Sequence, residues 1–341
     1  RVYNSCTKYL ILHSSFFILH SSLLSILIPI YNCDILPLLT LLYRAAMAEN
    51  IVFEIICIDD ASPQRECLSA LRQSPLATAD NIRLIFLPQN IGRARIRNLL
   101  AQEAKFDFCW FLDADMLPFS ETEAGREAAA KVLLHNYLEL IGSLSIAPNR
   151  EYVICGGHSY REEPPKDSAL CLHWWYGSRR EVRAVDLRAA EPYKSFTTSN
   201  FVASRSIFAH TTFDANISQY GHEDTLFGAA LARRGTPFLH IANPMEHCGL
   251  ERAEVFLRKT RQAVENLYKL NARISLDDMP IRLWQTYRRL ARWRMLWLMR
   301  FLFWLLAGFW LRHLCSRPRP NLRYLDLYKL GYLCRLPHHI N

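Results

Sequence analysis

An α/β fold built on a mostly parallel, doubly wound sheet is the architecture this chain predicts, and three observations carry it. Short apolar runs at 24–30, 51–58, 82–87 and 107–112 alternate with helical segments at 35–48, 64–73 and 93–104, the rhythm of strand–helix–strand units. Three of those runs end in an acid or a tyrosine: Tyr31, Asp59-Asp60 and Asp113-Ala114-Asp115. Ligands of such sheets bind beyond the carboxyl ends of the strands. Half of the 341 residues are hydrophobic, enough for one large α/β domain with an appendage and not the composition of a disordered chain.

Each element follows from its local pattern. LSILIPI (24–30) is continuously apolar, a buried strand, and Tyr31-Asn32-Cys33-Asp34 turns the chain into a helix ending at Ala48. IVFEIICI (51–58) is a second buried strand, closed by Asp59-Asp60-Ala61-Ser62-Pro63, and a helix over 64–73 follows. A third strand spans 82–87, the loop Pro88-Gln89-Asn90-Ile91-Gly92 leads to a helix over 93–104, and the fourth strand runs from Asp107 to Leu112. That strand enters Asp113-Ala114-Asp115, and Pro118 stops the segment. On an extended chain Asp113 and Asp115 project to one side. Two carboxylates so close repel unless something positive lies between them. A divalent cation is one resolution, and a polar turn closing a buried strand is the other.

Charge and cysteines narrow the class. The net charge is +9, but residues 251–341 hold 18 Lys/Arg against 6 Asp/Glu while residues 1–250 hold 23 against 26. The basicity belongs to the tail, beside tryptophans and apolar runs, which predicts a surface of anionic lipid and no nucleic acid. Ten cysteines without a CxxC pair read as reduced core thiols rather than a zinc site or disulfide framework. Residues 10–23 are a tandem repeat, LILHSSF then FILHSSL. Its polar interruptions argue against a signal peptide, so residues 1–23 are read as a disordered leader or mistranslated extension.

ILIPIYN, ICIDDASP, QNIGRARIRN and WFLDADMLPF, in this order, resemble the family 2 glycosyltransferases of GT-A fold, a Rossmann-like architecture. The resemblance extends through SNFVASRSIF, YGHEDTLFGAAL and NPMEHCGLE, covering about residues 24–251. It implies a nucleotide-sugar-binding half at 24–117 and an acceptor-binding and catalytic half at 118–250, while the basic, Trp-rich composition of 251–341 reads as a helical membrane-associating tail. It further implies a nucleotide-diphospho-sugar donor, a divalent metal (Mn²⁺ or Mg²⁺) and inversion at the anomeric carbon. Such cations take oxygen ligands and keep waters, and they neutralise a departing diphosphate.

The resemblance also assigns residues. Asp115 is the metal ligand, with Asp113 contacting the ribose or the metal's shell, and His247 completes the metal site. Pro29 and Tyr31 lie where the nucleotide is held, Tyr31 stacking on the base. Asp59 or Asp60 accepts a hydrogen bond from the base, a choice the residues leave open, and either also suits a turn or helix cap. Arg97 meets the donor, and Asn200 lines the donor-sugar and acceptor pocket. Asp224 is the base that takes the acceptor's proton, with Glu223 positioning it. Acids in the first turn of a helix also occur for the dipole alone. Trp174-Trp175 suit a sugar face or core packing equally, and His240 competes with His247.

The tail carries Trp284, Trp293, Trp297, Trp304 and Trp310 with arginines threaded between them. MLWLMRFLFWLLAGFWL (295–311) is nearly long enough to span a bilayer, but Arg300 interrupts it, which favours a helix lying in the interface. A helical bundle packed on the main domain is the alternative. The expectation is a peripheral or monotopic enzyme on the cytoplasmic face of a bacterial inner membrane, glycosylating a lipid-linked or polysaccharide acceptor. A nucleotidyltransferase would carry a Gly-rich loop where this chain has PIYNCD. A glycoside hydrolase leaves the strand-end residues unexplained. A catalytically degenerate, membrane-bound sugar-nucleotide binder remains the alternative without chemistry.

Overall fold

A computed structural model describes residues 23–64, 66–144, 151–217, 221–271, 276 and 281–336. The leader expected over 1–23 otherwise lies outside the described residues, but Leu23 opens the first strand. The first half runs β1 (Leu23–Ile30), α1 (Leu36–Ala48), β2 (Val52–Asp59), α2 (Glu66–Gln73), β3 (Ile82–Phe86), α3 (Arg93–Glu103) and β4 (Phe108–Leu112). Then come β5 (Met116–Leu117), α4 (Glu123–Leu144), β6 (Val153–Cys155), β7 (His158–Ser159), α5 (Cys171–Tyr176) and α6 (Val185–Ala190). β8 (Asn200–Ser204), α7 (Glu223–Arg233), β9 (Phe238–His240) and β10 (Met245–His247) precede the tail helices α8 (Ala253–Asn271), α9 (Arg282–Arg292), α10 (Leu296–Ser316) and α11 (Leu322–Arg335).

Seven strands form one sheet in the order β3-β2-β1-β4-β8-β6-β9. β3, β2, β1 and β4 are mutually parallel, while β8 lies antiparallel to both β4 and β6. The two halves divided at 117/118 therefore share a sheet. Because β8 runs backwards, its first residue, Asn200, sits opposite Leu112 at the carboxyl edge of the parallel strands.

Alternation within the strands builds two cores. Ile26, Ile28, Ile55, Cys57 and Trp110 pack on one face against Leu38 and Leu42 of α1 and Leu134 and Tyr137 of α4. Leu27, Ile56, Ile58 and Phe111 pack on the other against Ile96 and Leu100 of α3 and Phe227 and Leu231 of α7. Burial on both faces is why the strands read as unbroken apolar runs. A second, three-stranded sheet, β5-β10-β7, sits beyond the carboxyl edge. Cys57, Cys109, Cys155, Cys171 and Cys334 are buried free thiols, as the core-thiol reading expects, whereas Cys33 and Cys315 are half-buried and Cys248 is exposed.

In the tail, α8 to α11 bury Leu267, Trp284, Tyr287, Phe303, Trp310 and Tyr328 in a core of their own. Another cluster, with Leu172, Phe256, Leu314 and Leu325, ties it to the α5 region. The bundle alternative thus holds for one side of the tail.

Candidate active site

The ends of β1, β2 and β4 lie side by side. Tyr31 leaves β1 about half exposed, at 52%. Asp59 and Asp60 are buried. Asp59 accepts hydrogen bonds from the Ser62 amide (3.1 Å) and hydroxyl (2.5 Å). Asp60 accepts from the amides of Ile91 (2.6 Å) and Gly92 (3.0 Å), pinning the loop that starts α3. Burial raises the Asp60 pKa, against the pull of those two amides.

A cavity of about 480 Å³ opens beside β4, lined by Arg93, Asp113, Asp115, Glu223, Asp224 and His247. Asp113 and Asp115 reach it by a route other than strand alternation. β4 ends at Leu112, the Asp113 amide donates to Ser199 O (3.0 Å), and Met116 N closes a turn onto Asp113 O (3.2 Å). The turn feeds β5, whose Met116 pairs with His247 of β10. The Cys248 amide donates to Asp115 O at 2.8 Å, and His247 Nε2 comes within 3.4 Å of Asp115 Oδ2.

Arginines from α3 hold Asp113. Arg97 is buried and donates to Asp113 Oδ1 at 2.5 Å, while Arg93 lies 3.8 Å from Oδ2. Burial works to raise the Asp113 pKa, but Arg97 and Arg93 outweigh it and hold the carboxyl below its ordinary value. Arg93 also lies 3.6 Å from Glu223 Oε1, joining the end of β4 to the start of α7.

Glu223 and Asp224 open α7 behind a constrained turn. Gly221 and His222 both take left-handed backbone, with φ of 103° and 72°. Such a conformation is costly for histidine and concentrates at functional turns. A Cβ on Gly221 would also press on Ala263 of α8, 2.8 Å away. Glu223 is buried and accepts from the Gly221 amide at 3.2 Å. Asp224 accepts from the Thr225 amide and hydroxyl at 2.6 and 3.3 Å. Burial, reinforced by the Glu223 charge, pushes its pKa up to about 6, a value suited to accepting a proton near neutral pH.

Pro29, Tyr31, Asp59 and Asp60 lie outside this cavity's lining, and two further expectations need correction. Arg97 is not among the lining residues; it stands behind Asp113 and orients it. Asn200 does not line the pocket either. Fully buried, its Oδ1 accepts from Trp110 Nε1 (3.0 Å) and Tyr137 (2.8 Å), and its Nδ2 donates to Gly157 O (3.0 Å) and Asn243 O (2.9 Å). Trp174 is buried, bonded to Arg161 O at 2.9 Å, and follows the packing reading, while Trp175 is half-buried, its Nε1 donating to Pro318 O at 2.9 Å. His240 is held between Arg188 (3.0 Å) and Pro192 O (2.9 Å) and does not compete with His247.

Other lining residues escaped the sequence reading. Arg93 opens α3 and shares a face with Arg97 at i and i+4. Arg95 points away, to Ala215 O at 3.1 Å. His158, Tyr160, Glu181 and His173 form a second wall, with the Tyr160 hydroxyl donating to Glu181 at 2.7 Å. His173 Nδ1 accepts from the Glu251 amide at 2.9 Å. Burial, then the neighbouring His247 and Lys259, lower its pKa to about 3, so it stays neutral at physiological pH. The two-residue strand β7 that carries His158 is too short to leave a periodic signal in sequence.

The residues fit a metal of limited protein coordination. Among the described residues no three His, Cys, Asp or Glu side chains converge as a cage. Asp115 and His247 face each other at 3.4 Å, and the Asp115 carboxylate rests on the bare Cα of Gly249, where a Cβ would overlap it. One or two carboxylates with an imidazole suit a cation, Mn²⁺ more readily than Mg²⁺, that fills its shell with phosphate oxygens and water.

Comparison with known proteins bears on the family and the fold. Residues 25–122 match the model of Glycosyl transferase family 2. Chondroitin synthase from Escherichia coli is 23% identical over 253 residues, covering 66% of this chain and 34% of that protein, so the chain spans about a third of its relative's length. The mannosyltransferase PcManGT from Pyrobaculum calidifontis, solved in complex with GDP-Man and Mn2+, superposes with a TM-score of 0.50 at 14% identity. That superposition covers 91% of this chain and 84% of the other, and establishes the mostly parallel sheet as the GT-A fold.

Proposed function

We propose, from the premise that this chain belongs to glycosyltransferase family 2, that it is a metal-dependent, inverting glycosyltransferase. It moves a hexosyl or N-acetylhexosaminyl group from a UDP-sugar to a lipid-linked or polysaccharide acceptor in bacterial cell-surface glycan synthesis. The observation that carries the reading is the meeting, in one cavity, of the acids after β4, the acids opening α7, and His247. The relative solved with GDP-Man and Mn2+ and the curated chondroitin synthase support a nucleotide-sugar donor and a glycan acceptor.

Asp115 and His247 would hold the cation, and Asp113, oriented by Arg97, faces the ribose or the metal's shell. When bound, the cation neutralises the diphosphate as it leaves. Asp224 takes the proton from the acceptor hydroxyl as that oxygen bonds to the anomeric carbon from the face opposite the leaving group. The anomeric carbon–phosphate oxygen bond breaks at the same time, its electron pair departing with the nucleoside diphosphate. Glu223 raises the proton affinity of Asp224 through its own charge and is steadied by Arg93. Tyr31, half exposed at the end of β1, is free to cover a base, with Pro29 shaping the strand that carries it. Asp59 and Asp60 hold the turns around that position and offer the candidate acceptors for the base. A lipid-linked acceptor would place the enzyme at the cytoplasmic face of the inner membrane.

The test is binding and hydrolysis across a panel of UDP-, GDP- and dTDP-sugars, with Mn²⁺ or with EDTA. Metal-dependent binding and turnover of a UDP-sugar is the expected result. Folded protein that binds no donor with metal present would overturn the reading.

A further inference from the structure

The outer face of α10 is a run of large apolar side chains that the fold leaves uncovered. Met299, Phe303, Trp310 and Leu314 are buried against the neighbouring helices. The opposite face exposes Trp297 (67%), Phe301 (51%), Trp304 (76%), Leu305 (57%) and Phe309 (54%). Their spacing, with Gly308 among them, gathers these side chains into one stripe along the helix. Trp293, at the end of α9, extends it and is 61% exposed. An exposed patch of large aromatic residues marks a docking surface rather than ordinary protein surface.

Charge selects the occupant. From Ile281 to Asn321 the chain carries nine arginines and no acidic residue. Arg288, Arg289, Arg292, Arg294, Arg312 and Arg317 are exposed around the stripe. Tryptophan suits the headgroup level of a bilayer, and arginine beside it attracts anionic lipid.

Packing selects the mode. Arg300, which interrupts the apolar run, turns inward and donates to Cys334 O at 2.7 Å. Gly331 of α11 lies so close to Phe303 that a Cβ there would overlap the ring. The helix packed on its inner face, α11, has 14 residues and carries Arg323, Asp326, Lys329 and Arg335, so it is too short and too charged to cross a bilayer beside α10, and only the outer face of α10 is open to lipid.

We infer that α10, with the end of α9, is a monotopic docking surface for an anionic bilayer, lying flat with Trp297 and Trp304 inserted at the headgroup–acyl boundary. The surface acts independently of the reaction, so its test uses no donor and its failure leaves the proposed chemistry standing.

The experiment is flotation of the full chain with phosphatidylcholine vesicles, with and without roughly 30% phosphatidylglycerol. The expected result is flotation with anionic vesicles, weak with neutral ones and reduced in high salt. A Trp297→Ser/Trp304→Ser variant should lose about tenfold or more of the binding while keeping the wild-type circular dichroism and melting temperature. The fluorescence that wild type has in excess of this variant should be quenched more by shallow than by deep brominated lipids. Three results overturn the inference: no flotation of wild type, unchanged flotation of the variant, or stronger quenching from the bilayer centre. A dimer that dissociates in the variant, with no vesicle binding, would assign the stripe to self-association instead.

Discussion

His247 Nε2 lies 3.4 Å from Asp115 Oδ2, a meeting that neither residue's own neighbourhood produces. It is made by the antiparallel pairing of β10 with β5, which sets His247 opposite Met116. The Cys248 amide, bonded to Asp115 O at 2.8 Å, fastens the chain beyond the pairing. The small sheet thus holds an imidazole against the turn that carries the two aspartates.

Gly249→Ala tests that assembly with one methyl group. The added Cβ would overlap the Asp115 carboxylate and rotate it away from His247, leaving the hydrophobic cores intact. Mn²⁺ affinity, read by electron paramagnetic resonance or calorimetry, should fall by roughly 10–100-fold, with little change in melting temperature. Unchanged affinity would remove Asp115 from the ligand set.

The Asp224 carboxyl, raised to about 6 by burial and by the Glu223 charge, acts as a base only when deprotonated. The rate kcat/KM should therefore climb as pH rises through about 6, and at pH 5 it should be about a tenth of the plateau. Asp224→Asn should cost roughly 10²–10⁴ in transfer rate while the donor still binds. Glu223→Gln removes a neighbouring negative charge, so the inflection should move to lower pH. A profile flat across this range would show that Asp224 is not the base.

Arg97 and Asp113 carry a pH-dependent part of the stability. The folded Asp113 pKa is depressed, so the pair's contribution is present above the ordinary carboxylate pKa and is lost as pH falls through the lowered value. Arg97→Met leaves a buried carboxylate without its closest cation and should cost about 3–5 kcal/mol at neutral pH. Urea unfolding as a function of pH should show the gap between variant and wild type shrinking on acidification. A gap that stays constant with pH would mean that the loss comes from packing alone.

Asn200 gives the opposite signature, stability without specificity. Its amide joins Trp110 and Tyr137 of the main core to the Gly157 and Asn243 carbonyls. Asn200→Ala leaves several of those buried groups without partners and should cost about 2–4 kcal/mol. The KM for the donor should be unchanged at a temperature where the variant is folded. A selective rise in KM would return Asn200 to the pocket.

Residues that occupy the ends of long apolar strands were legible in the sequence, and residues placed by short or reversed elements were not. The positions of Asp113, Asp115, Asp59 and Tyr31 follow from where β4, β2 and β1 must stop. The parts of Arg97 and Asn200 were misread because a motif records which residue stands at a position, not whether its side chain points into a cavity or beneath it. His158 and Tyr160 were missed because β7 spans two residues and pairs with β10, which has only three.

The amino-acid sequence by itself determined the alternation of strand and helix, the polar strand ends and the basic, tryptophan-rich tail. Each is a local consequence of apolar periodicity and of where proline, glycine and acids interrupt it. The tertiary structure alone decided that His247 faces Asp115, that Arg93 rather than Arg97 enters the cavity, and that one face of α10 is buried while the other stays open. Those outcomes depend on packing and pairing between segments far apart in the chain, and periodicity within a segment carries no record of which distant segment will cover it.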